Sequence, residues 1–99
     1  MAFECIDIPE AKDLIENENA VVVDIRDAAS FSAGAIEKAI HMDNSSVTDF
    51  LASADLERPL IVCCYHGNMS KGAAEFFSSQ GFLRSYSLNG GYTEWAKQP

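Results

Sequence analysis

Short apolar runs alternate along the chain with stretches whose apolar residues recur at helical spacing. That is the signature of strands joined by crossover helices in a largely parallel sheet. "FECI" predicts a short first strand. Asp7 is placed to cap the helix that follows, Pro9 is tolerated in its first turn, and Ala11, Leu14 and Ile15 share one face. "AVVVDI" is a continuous β-branched run, as expected of a strand buried on both sides. A short helical turn around "DAASFSAG" ends at Gly34, and "AIHM" predicts a weak third strand. Ser46 followed by Asp49 resembles a capping box opening a helix through "VTDFLASA". Pro59 introduces the strand "LIVCC". From about Ser70 the pattern is helical again, with Ala73, Phe76 and Phe77 on one face and Gly81 just past the C-terminus. "RSYSL" predicts a last strand, "NGG" a turn and "YTEWAKQ" a closing short helix. The expected fold is α/β, a central, mostly parallel five-stranded sheet with helices on both faces, in one domain spanning residues 1–99 without internal repeat or linker.

Composition narrows the partners. With 15 acidic against 7 basic residues, net −8, the chain lacks the basic surface that nucleic acid or an anionic membrane requires. Three cysteines are an odd number, and Cys63 and Cys64 are adjacent, so a disulfide framework is not expected and a reducing compartment is. The start, "MAFECIDIPEAKD", has no basic end followed by an apolar stretch, and no run approaches the roughly 18 apolar residues of a membrane span. The expectation is a soluble, cytoplasmic protein. No cluster of His, Cys and carboxylate has metal-ligand spacing, so neither a metal nor another cofactor is expected.

The segment "VCCYHGNMSKGAAEFF" carries the candidate chemistry. Cys64 falls at the carboxyl end of a central strand, where ligands bind in open parallel sheets. The loop "YHGN" can turn successive backbone N–H groups inward, because Gly67 and Asn68 tolerate positive φ. A helix starts directly afterwards, and its unpaired N–H groups and dipole favour an anion. Such a cradle lowers a cysteine pKa, and the thiolate is the nucleophilic form. Lys71 adds a positive charge at the rim, and no carboxylate lies between Asp55/Glu57 and Glu75. The pattern therefore suits a small anion. The other cysteines, Cys5 and Cys63, read as small buried hydrophobes, with Cys63 pointing away from Cys64. His66 reads as a solvent-facing or backbone-bonded histidine, His41 as structural, and Asp24 with Arg26 as a buried pair positioning the sheet end.

These residues carry a family resemblance. "VVVDIRDAASFSAGAI" resembles the first rhodanese signature, "CYHGNMSKGAA" the active-site loop and "LNGGYTEW" the closing Gly-Gly-aromatic segment, so that the likeness spans essentially the whole chain. It is greatest to the single-domain thiosulfate sulfurtransferases of the GlpE type. The resemblance implies a rhodanese-like fold and a persulfide intermediate on Cys64. It also implies anion binding by the loop amides of Tyr65, His66, Gly67, Asn68, Met69 and Ser70, with Lys71 beside them. The implied partners are a small anionic sulfur donor such as thiosulfate and a thiol acceptor such as thioredoxin or a dithiol. Ala35 stands where the signature usually has histidine, and Met69 where this subfamily commonly has serine. A short tail beyond Pro99 is also implied.

Two other classes share the cradle. Cysteine-dependent phosphatases and arsenate reductases place an arginine six positions after the nucleophile, where its fork binds an oxyanion at two oxygens. Here that position is Ser70 and the nearest cation, Lys71, is one residue further. Non-catalytic rhodanese-like binding modules typically lack the nucleophile, which Cys64 supplies.

Overall fold

The computed structural model describes residues 3–98. Strands β1 (Glu4–Ile6), β2 (Val21–Asp24), β3 (Ile40–His41), β4 (Leu60–Cys63) and β5 (Ser85–Leu88) alternate with helices α1 (Ile8–Asn17), α2 (Ala28–Ala33), α3 (Val47–Ser53), α4 (Met69–Ser79) and α5 (Gly91–Trp95). The five strands form one sheet in the order β1-β5-β4-β2-β3, and every neighbouring pair is parallel, so the expected "mostly parallel" sheet is parallel throughout.

Strand alternation divides the core in two. Val22, Ile61, Cys63 and Leu88 face Ala11 and Leu14 of α1, with Tyr92 and Trp95 of α5 packed alongside. Val23, Leu60 and Val62 face the opposite way, onto Ala74 and Phe77 of α4 and onto Val47, Phe50 and Leu51 of α3. Burying one side chain such as Phe77 stabilises the fold by about 1.5–3 kcal/mol. The chain leaves β4 for α4 on one face and leaves the adjacent β5 for α5 on the other. Diverging connections of this kind open a crevice at the carboxyl ends of the two strands.

Local signals account for most boundaries. Asp7 and Glu10 form a reciprocal capping box at the start of α1, each carboxylate accepting the other's N–H at 3.3 Å. Gly34 closes α2. The box expected at α3 does not form. Ser46 is already in helical conformation and its side chain makes no cap bond to α3. Asp43 takes the turn instead, its Oδ1 accepting the N–H groups of Ser45 and Ser46 and the hydroxyl of Ser45.

Two further expectations are corrected. Cys5 is exposed rather than buried, because β1 is an edge strand of three residues and its second position is left uncovered. The buried stripe of α4 is Ser70, Ala74 and Phe77, with Phe76 43% exposed. The stripe contains a serine, which an apolar-periodicity argument passes over. Ser70 is tolerated there because its hydroxyl meets that of Ser87 on β5 at 2.7 Å.

At the end of β2, Asp24 and Arg26 form the expected buried pair. Arg26 Nε lies 3.0 and 3.1 Å from the two carboxylate oxygens, and Nη2 lies 2.7 Å from Oδ2. Nη2 also donates to the Gly34 carbonyl, and the guanidinium sits 4.3 Å from the Tyr92 ring centroid. His41 donates through Nε2 to the Arg26 carbonyl at 2.7 Å, which gives it the structural place anticipated for it. Asp24→Ala would strand the guanidinium without its counter-charge and should destabilise the fold by about 3–5 kcal/mol in urea unfolding. A loss below about 1 kcal/mol would show that Arg26 reaches water as easily as it reaches Asp24.

Candidate active site

β4 ends at Cys63, and Cys64 is the first residue beyond it. The two cysteines take opposite environments, as alternation requires. Cys63 lies in the core shared with α1, where burial first, and then the Asp24 charge, push its thiol up to about 12. It is a packing residue. Cys64 is 1% exposed and sits at the crevice between the ends of β4 and β5.

The chain then turns sharply into α4. Gly67 has φ of 96°, and a Cβ there would stand 2.9 Å from the Gly90 nitrogen and 3.1 Å from the Leu88 carbonyl oxygen, so only glycine fits. The turn brings the Gly67 N–H to 3.2 Å and the Ser70 N–H to 3.3 Å from Cys64 Sγ. Asn68, at the N-cap of α4, makes no side-chain cap bond, which leaves first-turn amides to serve the sulfur. Burial is the largest single influence on the Cys64 thiol and favours its neutral form. The Ser70 hydroxyl and the amides of Ser70, Gly67 and His66 together outweigh it, and the thiol titrates below its ordinary value.

The loop is also gripped from behind. The Tyr92 N–H donates to the Cys64 carbonyl at 2.8 Å and the Thr93 N–H to the Tyr65 carbonyl at 3.1 Å. Gly91, with φ of 56°, makes this approach possible, since a Cβ would fall 2.5 Å from the Cys64 carbonyl oxygen. In a trans peptide the carbonyl and the following N–H point in opposite directions. Drawing the Tyr65 carbonyl toward α5 therefore turns the His66 N–H the other way, where it contributes to lowering the Cys64 thiol.

The remaining loop residues divide by location. The Tyr65 side chain leaves the cradle and binds Asp27 at the start of α2. Its phenol donates to the Asp27 carboxylate and accepts the Asp27 N–H at 3.2 Å. This bond, followed by those from Ser30, holds the Asp27 carboxyl well below the usual carboxylate range. His66, Asn68, Met69 and Lys71 are exposed at the rim. Sequence reasoning missed the hydroxyl of Ser70 and its partner Ser87, and the grip from Gly91 and Tyr92. A signal for the first was present. Ser85 and Ser87 alternate on a strand whose serines face α4, and Ser85 Oγ likewise donates to the Ala74 carbonyl at 2.7 Å.

Residues 7–98 match the family model of the rhodanese-like domain. The thiosulfate sulfurtransferase GlpE of Pseudomonas aeruginosa (strain LESB58) is 53% identical over 93 residues, which cover 94% of this chain and 84% of that protein. GlpE of Stutzerimonas stutzeri (strain A1501) is 51% identical over 87 residues, covering 88% of this chain and 80% of that protein. Among solved structures, a rhodanese-related protein from Thermoplasma volcanium is similar with a TM-score of 0.75 at 28% identity, covering 96% of this chain and 92% of that one. A human single-domain sulfurtransferase shares the fold with a TM-score of 0.78 at 22% identity, covering 96% of each chain.

The balance around Cys64 is open to test at Ser70. Ser70→Ala removes the hydroxyl and keeps the amide, so the pH profile of Cys64 alkylation should move upward without losing all of its depression. An unmoved profile would show that the amides alone set the thiol.

Proposed function

The chain belongs to the rhodanese-like domain family, and on that premise we propose that it is a thiosulfate sulfurtransferase that carries sulfur as a persulfide on Cys64. The observation behind this reading is the buried Cys64 sulfur, which accepts N–H groups from Gly67 and Ser70 and ionises more readily than an ordinary thiol.

Thiosulfate carries two negative charges, so its approach to a thiolate is repulsive unless preorganised donors offset the charge. The loop amides from Tyr65 to Ser70 and the first turn of α4 supply such donors, and Lys71 adds a charge at the rim. The Cys64 thiolate attacks the outer sulfur of thiosulfate, the S–S bond of the donor breaks, and its electron pair leaves with sulfite. The enzyme is left as Cys64–S–S⁻. An acceptor thiolate then attacks the terminal sulfur, and the pair of the enzyme's S–S bond returns to Cys64. Cyanide takes the same sulfur as thiocyanate. Sulfite leaves as a stable anion, so no general acid is required, which suits a site whose histidine, His66, lies exposed at the rim. The acceptor is a thiol, thioredoxin or a small dithiol, and the three unpaired cysteines suit a reducing compartment such as the cytoplasm. Among the described residues no helix is long and apolar enough to cross a membrane.

Brief exposure to thiosulfate should add one sulfur atom to the intact mass, and cyanide or dithiothreitol should remove it. Cys64→Ser should stay unmodified, whereas Cys63→Ala and Cys5→Ala should still load. Loading that survives Cys64→Ser would place the nucleophile elsewhere.

A further inference from the structure

Among the described residues the buried polar side chains are Asp24, Arg26, Ser70, Ser85 and Ser87. Asp24 and Arg26 neutralise each other, and Ser85 Oγ donates to the Ala74 carbonyl of α4 at 2.7 Å. Ser70 and Ser87 differ, because the two hydroxyls meet each other, with 2.7 Å between the oxygens. Stability alone does not account for that pair. Two buried hydroxyls that bond each other can be replaced together by apolar groups of similar size at little cost, and the neighbours of Ser85 and Ser87 on this face of the sheet are Leu60 and Val62.

The place of the pair explains more. Ser70 lies in the first turn of α4 with its N–H 3.3 Å from Cys64 Sγ, so the pair abuts the nucleophile. Two hydroxyls carry two protons, and the bond between them uses one. Among the described residues Ser87 Oγ has no hydrogen-bond partner but Ser70 Oγ, whereas Ser70 stands against a sulfur that its hydroxyl helps to ionise. Both protons find acceptors when Ser87 donates to Ser70 and Ser70 faces the sulfur. We propose that Ser87 is a positioning residue for the sulfur chemistry, and that by donating to the Ser70 hydroxyl it leaves the Ser70 proton aimed at Cys64 Sγ. Without Ser87, a helical serine is free to turn back to the carbonyl four residues earlier. With it, two hydrogen bonds in series polarise toward the thiolate. The same donor serves both halves of the cycle, in which Cys64 first attacks as a thiolate and later leaves as one, and to that extent the inference rests on the sulfur-carrier reading above. The titratable groups of the neighbouring elements are engaged elsewhere or stand outside. Cys63 faces the opposite core, Asp24 holds Arg26, Asp27 holds Tyr65, Tyr92 packs on Arg26, Glu94 of α5 lies beside Lys97, and His66, Lys71 and Glu75 are exposed.

The test follows iodoacetamide alkylation of Cys64 against pH in a Cys5→Ser background, since Cys5 is exposed. Ser87→Ala should move the profile upward by roughly half a pH unit, as expected for the loss of one neutral hydrogen bond. In a Ser70→Ala background the same change should move it no further, because the proton that Ser87 directs is gone. The double variant should unfold at about the urea concentration of the parent. Ser85→Ala, which removes a buried bond from the same strand to the same helix, should lower that concentration and leave the profile in place. Loading from thiosulfate, read by intact mass, should slow about threefold in Ser87→Ala at pH below both midpoints and match the parent well above them. A Ser87→Ala profile that stays in place, that moves as far without Ser70, or that Ser85→Ala reproduces would overturn the role of Ser87. A profile that moves as expected in a protein that takes up no sulfur would overturn the sulfur-carrier reading and leave Ser87 acting on the thiol.

Discussion

The carbonyls of Cys64 and Tyr65 are gripped by the first amides of α5, and the orientation of the sulfur site follows from that grip. Peptide planarity converts each captured carbonyl into an N–H aimed the opposite way. Amides so fixed need not reorganise when charge develops on the sulfur, which is the condition under which hydrogen bonds stabilise an anion most effectively. The grip exists because two glycines meet across it. Gly67 lies against Gly90 and Leu88, and Gly91 lies against Cys64 and Tyr65, at separations no Cβ could occupy. The sheet order makes the meeting possible by setting β5, which leads into α5, directly beside β4, which leads into the loop.

At the Cys64 sulfur itself charge is handled by dipoles, and the formal cation Lys71 stands outside at the exposed rim. The chain carries a net −8, yet the depressed Cys64 thiol is explained by a hydroxyl and backbone amides. The full cation near the sheet end, Arg26, is committed to Asp24 and to Tyr92, and so does structural work under the loop. The Asp27 carboxylate is tied to Tyr65 and Ser30. An anion entering the crevice thus meets N–H groups whose geometry is set by the fold, in an acidic protein that would otherwise repel it.

Much of this was legible in the sequence, for local reasons. "VVVD" and "LIVC" announce themselves because strands buried on both faces are continuously apolar, and the Gly-Asn pair after Cys64 marks a sharp turn into a helix. What was not legible depends on partners distant in the chain. Ser70 is buried only because Ser87, 17 positions away, satisfies it. Cys5 is exposed because β1 falls at the sheet edge, and nothing in "FECI" encodes which strand ends on the outside. Ser46 was a plausible cap until Asp43, three residues earlier, took its hydrogen bonds. The roles of Gly91 and Tyr92 required knowing that β5 and β4 are neighbours.

The central claim is that amides and the Ser70 hydroxyl outweigh burial at Cys64. The most direct measurement is an ultraviolet thiolate titration of Cys64 in a Cys5→Ser, Cys63→Ala background, folded and in urea. The account predicts a folded thiol that ionises below the unfolded one, which should lie near the ordinary thiol value of about 8.5. An acid whose pKa falls on folding adds stability above its unfolded pKa and loses it as the pH drops through its folded value. Fold stability in that background should therefore rise with pH between the two midpoints, and Cys64→Ala should remove that rise. A folded Cys64 that titrates at or above the unfolded thiol would contradict the account, because burial would then have won and the cradle would hold a neutral cysteine.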